Sequence, residues 1–301
     1  MYSRWEKEVY QSATRRPIIN SEFMRRSCHS PIALTLPLLI AGCALKAGTP
    51  DTVINPNAPF FTAASIVQAA TQTVETLAPN TLATIYGSNL SWTTHAVDAN
   101  DLEQGTLPTS LDGVTVLVHG IICNLLYISP GQINFLIPYE ITSSTAQVLV
   151  ERQGVAGPFG LDGLPSVTID LAPTAPGFFE WSGNFIVAEH ADGSLITTAS
   201  PAQAGETVVL FAAGLGRTVP DSGSGVLPPS AATLLYASQL QIVVNGAVLP
   251  PSSIYYAGVT PGFAGLYQIN VTLPAVLPPD PEIQVVIGSQ ASPTGVLLFA
   301  Q

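Results

Sequence analysis

From about residue 80 onward the chain is a succession of short apolar or alternating runs, broken repeatedly by Gly, Pro, Asn and Ser. Leu82–Tyr86, Val114–Val118, 147–150, 167–171, 208–211, Leu240–Val244 and Ile283–Ile287 are rich in β-branched residues. Val114, Val116 and Val118 fall on one parity, as do Leu240, Ile242 and Val244. Alternation with period two predicts half-buried strands, and many short strands with frequent turn residues predict a sandwich or barrel. No stretch carries a convincing capped helix.

Compared with itself, the chain predicts two copies of one unit. Tyr86 matches Phe211 and Leu90 matches Leu215 at an offset of 125, and Gly120 matches Gly246 at 126. Gln132-Ile133-Asn134 recurs as Gln268-Ile269-Asn270 at 136, each followed four residues later by a proline. Residues 147–150 recur as 284–287 at 137. The offset steps once by about ten, which places extra residues of the second copy within 247–267. In each copy Ile133, Phe135 and Ile137, or Ile269, Val271 and Leu273, share the core parity. The recurring amides Gln132, Asn134, Gln268 and Asn270 then face the other way. Both asparagines are expected to be buried and hydrogen-bonded to backbone within their own domain, because amides suit the satisfaction of buried turn groups.

The N-terminus reads as an address. From Met24, two arginines precede an apolar stretch (residues 32–40) and the small residues Ala41 and Gly42. That is the layout of a secretory signal, too short for a transmembrane helix. Ile40-Ala41-Gly42-Cys43 resembles the lipobox of bacterial lipoproteins, a resemblance that implies lipidation of Cys43. An ordinary secretory signal cut nearby is the alternative. The expected organisation is residues 1–43 as upstream extension and signal, 44–73 as tether and first-strand region, 74–172 as one sandwich and 173–301 as another. The chain is expected to be exported, either as an envelope lipoprotein of the outer membrane or surface or as a secreted or periplasmic protein. It would touch the membrane only through the lipid.

Charge narrows the partners. Residues 1–43 hold six basic and three acidic side chains; the remaining 258 hold three basic and 17 acidic, a net of −14. Such a surface repels phosphate backbones, so nucleic acid is excluded as a partner. Charged residues are only 10% of the 301 and hydrophobic ones 47%, which excludes charge-driven disorder and coiled coils.

Little chemistry is visible. The motifs of P-loops, dinucleotide folds, nucleophile elbows and zinc proteases are all missing. His95, His119 and His190 lack ligand spacing, and His119 reads as a strand-end residue. Cys123 lies in an apolar run and reads as a buried, inert thiol. The loop 98–103 concentrates oxygen ligands but lacks calcium-loop spacing, and reads as a solvated acidic loop. Asp192-Gly193-Ser194 reads as a turn. Trp92, Trp181, Phe178, Phe179, Tyr255 and Tyr256 sit in or beside expected loops. Core packing accounts for most such rings; stacking on sugars or insertion into a partner would account for the rest.

The segments LPTSLDGVTVLVHG, YISPGQINFLIPYE, TAPGFFE, DGSL, AGETVVLFAAGLG and TPGFAGLYQINVTLP resemble the Solibacter-type acidobacterial C-terminal domain family, over roughly residues 58–301. The order of strand, Gly87-Ser88-Asn89-Leu90 and strand, with Asn245-Gly246 ending a strand in the second copy, also resembles IPT/TIG immunoglobulin-like repeats. The resemblance implies extracellular binding or spacer modules and supplies no catalytic residues. The expectation is therefore an all-β chain of two tandem immunoglobulin-like β-sandwiches after a signal peptide and short tether. It would be a non-catalytic binding or spacer module without cofactor or metal, its protein or polysaccharide partner unidentified. A carbohydrate-binding module is the alternative, and an envelope hydrolase the remaining one.

Overall fold

The structure, a computed structural model, describes residues 57–301 except Gly154, 158–166, Gly183 and Ser222. The signal region, Cys43 and the first part of the tether lie outside the described residues. Everything described is strand, turn or loop, apart from three single-turn 3₁₀ segments at Ala63–Ser65, Ala237–Gln239 and Pro251–Ser253.

The first sandwich runs through β1 (Ile66–Gln68), β2 (Leu82–Tyr86), β3 (His95–Ala96), β4 (Val114–Val118) and β5 (Ile121–Ile122). It continues with β6 (Leu125–Ser129), β7 (Gln132–Leu136), β8 (Thr145–Arg152), β9 (Val155–Gly157) and β10 (Val167–Asp170). One sheet has the order β1-β2-β7-β6-β3; the other has β10-β8-β4-β5, with β9 on β8. Val114, Val116 and Val118 meet Ile133, Phe135, Val148 and Val150 in the core between them, as period-two alternation requires.

The second sandwich comprises β11 (Gly177–Phe178), β12 (Glu180–Ser182), β13 (Phe185–Ile186), β14 (Ala188–His190), β15 (Thr207–Ala213), β16 (Thr218–Val219) and β17 (Thr233–Leu234). There follow β18 (Leu240–Val244), β19 (Ala247–Val248), β20 (Ile254–Val259), β21 (Tyr267–Thr272), β22 (Ile283–Ile287) and β23 (Gln290–Ala291). Its larger sheet has the order β11-β15-β21-β20-β17-β16, with β14 also on β15; the smaller is β19-β18-β22-β23. The segment 173–196 thus supplies strands β11 and β14 to the second sandwich. The chain is all-β, two immunoglobulin-like sandwiches in tandem.

Strand registers carry the duplication. Tyr86 faces Gln132 as Phe211 faces Gln268, and Ile85 faces Ile133 as Leu210 faces Ile269. The β4–β5 and β18–β19 hairpins turn through His119-Gly120 and Asn245-Gly246, all four at positive φ, the conformation of two-residue type I′ turns. The second sheet departs from the sequence alignment. Val118 faces Val148, but Val244 faces Ile283, an offset of 135 rather than 137. A slip of two keeps the same residues on the core face, so the hydrophobic pattern alone does not resolve it.

The two sandwiches share a third apolar layer. Leu82 and Leu136, on the outer face of β2 and β7, belong to one buried cluster with Val209, Phe211 and Ala213 from the outer face of β15, and with Leu266. Gly265 sits against Leu82 and Leu136; a Cβ there would come within 2.5 Å of Leu136 Cδ1. Beside this layer the loop after β16 reaches across. Leu107 N–H donates to Gly225 O (2.9 Å), Leu227 N–H to Gly105 O (2.8 Å) and Tyr139 N–H to Ser224 Oγ (3.1 Å).

The recurring amides lie on these outer faces, and their role differs from the expected one. Asn134 is buried, but its Oδ1 accepts from side chains: Gln132 Nε2 at 2.8 Å and Thr84 Oγ1 at 3.1 Å. In the second copy Gln268 Nε2 donates to Asn270 Oδ1 at 3.1 Å, and here Gln268 is buried while Asn270 is partly exposed. Residues two apart on a strand share a face, so the amides meet each other before they reach a turn. Backbone satisfaction falls instead to Asn124, whose Nδ2 donates to Leu107 O at 2.6 Å. Replacing Asn134 with Ala removes the acceptor of the buried Thr84 hydroxyl and of the half-buried Gln132 amide and should cost about 1–3 kcal/mol in urea unfolding. Asn270→Ala should cost clearly less, because water reaches its site.

Candidate functional site

Along β8 the inward parity places Ala146, Val148 and Val150 in the first core, and the next inward position is Arg152. Its side chain therefore emerges at the open end of the sandwich, only 2% exposed. Its two terminal nitrogens donate to Asn89 O and Asn57 O, and the guanidinium lies 3.6 Å from the centroid of the Trp92 ring. One buried cation thus joins two loop segments, at Asn57 and at Asn89–Trp92, and supports an indole that is 56% exposed. Phe60, also exposed, is held nearby: Phe60 and Ser88 exchange backbone hydrogen bonds of 2.9 Å. Gly87 permits that approach, since a Cβ there would lie 2.3 Å from Phe60 O.

The Trp92 loop is pinned from its other side. Thr93 Oγ1 donates to Asp112 Oδ2 (2.6 Å), and the His95 ring lies 3.2 Å from both Asp112 Oδ1 and Asp101 Oδ2. Hydrogen bonding to Asp112 raises the His95 pKa above its usual value; burial opposes this and Asp101 adds to it. This clip is fully present below pH 6.5 and weakens as pH rises through the elevated pKa. The acidic loop 98–103 is largely exposed and uses two carboxylates on its own backbone, with Asp98 N–H donating to Asp101 Oδ2 and Asn100 N–H to Asp98 Oδ1. Among the described residues, no group of three His, Cys, Asp or Glu side chains is arranged to hold a metal ion.

A second cluster was not visible in the sequence. His190 Nδ1 lies 2.5 Å from Glu206 Oε1, and its Nε2 lies 3.1 Å from Ser200 Oγ. Those are the separations of a Ser-His-Glu hydrolase. However, Nε2 is equally close, at 3.1 Å, to the carbonyl oxygen of Ser200, an acceptor that requires a protonated ring nitrogen. Burial alone would lower the His190 pKa, but the bonds to Glu206 and the Ser200 carbonyl, with the charges of Glu206 and Asp192, hold it above its usual value. An imidazolium donating from both nitrogens closes the turn 197–200 onto β14 and is a poor general base. Among the described residues, clefts of about 170 Å3 and about 560 Å3 open between the sandwiches, and neither of these takes in His190.

The other candidates separate by burial. Phe178 and Phe179 are core residues, Tyr256 is half-buried, and Trp92, Trp181 and Tyr255 are exposed. Cys123 is fully buried with its thiol pKa pushed up by burial, and His119 is exposed at a strand end. Ser194 N–H donates to Asp192 Oδ1, closing the expected turn. Cys43 lies outside the described residues.

No protein-family model matches the chain, and no curated protein does. Among solved structures, it is similar to the surface glycan-binding protein SGBP-B of a Bacteroides ovatus mixed-linkage glucan utilization locus, solved with a mixed-linkage heptasaccharide. Identity is 13% over 75% of this chain and 43% of that one, with a TM-score of 0.28. It is also similar to PbSGBP-B of Prevotella bryantii, at 14% identity over 83% and 42% of the two chains and a TM-score of 0.24. This chain spans under half the length of either. At such values neither ligand nor partner transfers, and the fold rests on the strands and registers of this chain.

One buried acid stands apart from both clusters. Glu189 on β14 is 4% exposed and its Oε1 has no hydrogen-bond partner. Burial, with Asp192 nearby, pushes its pKa up to about 7. The folded state then holds a proton that the unfolded state has lost, so stability falls as pH rises from about 4.5 to about 7. Glu189→Gln should remove that fall: about 1–3 kcal/mol more stable than wild type at pH 8 and unchanged at pH 4, read by thermal unfolding across pH.

Proposed function

We propose that the chain is a non-catalytic, exported binding module of the cell envelope, and that its first sandwich recognises a neutral polysaccharide by stacking a sugar ring on Trp92. The observation that carries this is the buried Arg152 guanidinium held flat beneath an exposed indole. An indole immobilised on one face and open on the other is ordered before a ligand arrives, so little entropy is lost on binding. The C–H face of a pyranose suits such a surface. An anionic chain would meet a strongly acidic protein whose one cation here is buried and already engaged. The resemblance to extracellular IPT/TIG-type modules supports export, and the lipobox-like sequence supports a lipid anchor at Cys43.

The platform is tested by affinity electrophoresis of the full-length chain through gels containing a soluble β-glucan, a xylan, a galactomannan or, as the anionic control, alginate. At least one neutral polymer should retard the wild type. Trp92→Ala should weaken that binding tenfold or more and leave the unfolding curve nearly unchanged. Retardation by alginate alone, or by none of the polymers, would sink the glycan reading. Covalent labelling of Ser200 by a fluorophosphonate probe would overturn the non-catalytic one. The anchor is tested separately: Cys43→Ser should move the protein from the detergent phase to the soluble fraction, because anchoring depends on acyl chains worth about 0.8 kcal/mol per buried methylene.

A further inference from the structure

The duplicated strands β6 and β20 carry the same irregularity at the same place. In the first sandwich Leu125 faces Phe135 and Tyr127 faces Asn134, which leaves Leu126 as an extra residue. In the second Ile254 faces Val271 and Tyr256 faces Asn270, which leaves Tyr255 extra. The core residues flanking each bulge are Leu125 and Ile128, or Ile254 and Ala257. In each strand the two residues between them turn to the outer face of the sheet.

What covers that face differs. Leu126 lies in the junction between the sandwiches, beside Leu107, Leu227 and Phe263. Tyr255 is 67% exposed. Its hydroxyl has a partner: Thr272 Oγ1 donates to Tyr255 Oη at 3.2 Å, and the Thr272 and Thr207 hydroxyls lie 2.7 Å apart. Its neighbour Tyr256 spends its hydroxyl on Ala232 O and Val259 O and is half-buried, which is what a structural tyrosine does. Tyr255 has no such backbone tie and presents its ring outward.

We propose that Tyr255, with Thr207 and Thr272, is a second saccharide-stacking site, so that the two sandwiches hold one neutral polysaccharide at two points. The inference rests on the glycan reading of Trp92 and extends it to the second copy. Tyr255, Thr207, Thr272 and Asn270 form an uncharged patch of one ring, hydroxyls and an amide. Hydroxyls and amides both donate and accept, which matches a polyhydroxyl ligand and offers nothing to an ionic one. The two sandwiches pack against each other through the shared apolar layer. A polymer bound at the first site therefore meets the second at a high effective concentration, provided it is long enough to span both.

The test uses the full-length chain, the neutral polysaccharide that retards it most, and a hexasaccharide of the same polymer, with binding measured by calorimetry. Tyr255→Ala should weaken binding of the long polymer tenfold or more and leave the site for the hexasaccharide on Trp92 unchanged. Tyr255→Phe should retain most of the affinity, since the ring stays. Wild-type affinity for the long polymer in Tyr255→Ala, alongside loss in Trp92→Ala, would overturn this inference and leave the first reading standing. Wild-type affinity in both variants would overturn both. Sedimentation equilibrium showing a dimer that Tyr255→Ala dissociates, with polymer binding unaltered, would assign the patch to a second copy of the chain instead.

Discussion

The contact between the outer faces of β2–β7 and β15 governs the molecule. An ordinary sandwich strand is apolar inward and polar outward. β15 is buried on both faces: Val208, Leu210 and Ala212 enter the second core, while Val209, Phe211 and Ala213 enter the layer shared with the first sandwich. The run 208–213 accordingly reads as an unbroken apolar string, the pattern of a strand covered on both sides. Gly265 lets the backbone close on Leu82 and Leu136, and the loop around Gly225 adds main-chain hydrogen bonds across the junction. Two sandwiches joined in this way are held together by apolar packing and main-chain hydrogen bonds.

Arg152 does for the end of the first sandwich what that layer does for the middle. Burying a guanidinium is costly, and its Nε finds no partner here. The remaining nitrogens satisfy carbonyl oxygens of Asn57 and Asn89, and its flat face supports Trp92. A hydrophobic residue of similar volume would fill the space at less cost, yet it would neither bond those carbonyls nor place a cation beneath the indole. The interaction trades stability for a loop arrangement that presents an aromatic face in one orientation.

Short β-branched runs bounded by turn residues were legible to the residue: β2, β4, β18 and β22 begin and end where those runs do. The duplication was legible too, except in the smaller sheet, where a slip of two preserves every inward residue. What the chain's local pattern does not contain is what covers an outer face. Asn134 was expected to bond turn backbone and bonds the side chains of Thr84 and Gln132 instead, and in the second copy it is Gln268, not Asn270, that is buried. The Arg152 site had one overlooked signal, a cation at an inward position of an otherwise apolar strand. His190, Ser200 and Glu206 carried none, since their meeting depends on a turn that only the fold closes. Among the aromatic residues, exposure separated Trp92 and Tyr255 from Phe178 and Phe179, and sequence neighbourhood did not.

The two copies illustrate how tandem packing frees one of them to change. Matching positions on β7 and β21 keep the same amides, and matching positions in the cores keep apolar residues, because both copies face the same internal demands. The bulge on β6 and β20 is also kept, since it sets the geometry of the sheet. Its side chain is not: the copy turned into the junction carries Leu126, which packing requires, and the copy turned outward carries Tyr255, which packing does not. Nothing in the second core needs that ring. That ring lies outside the second core, as Trp92 lies outside the first, above its supporting cation.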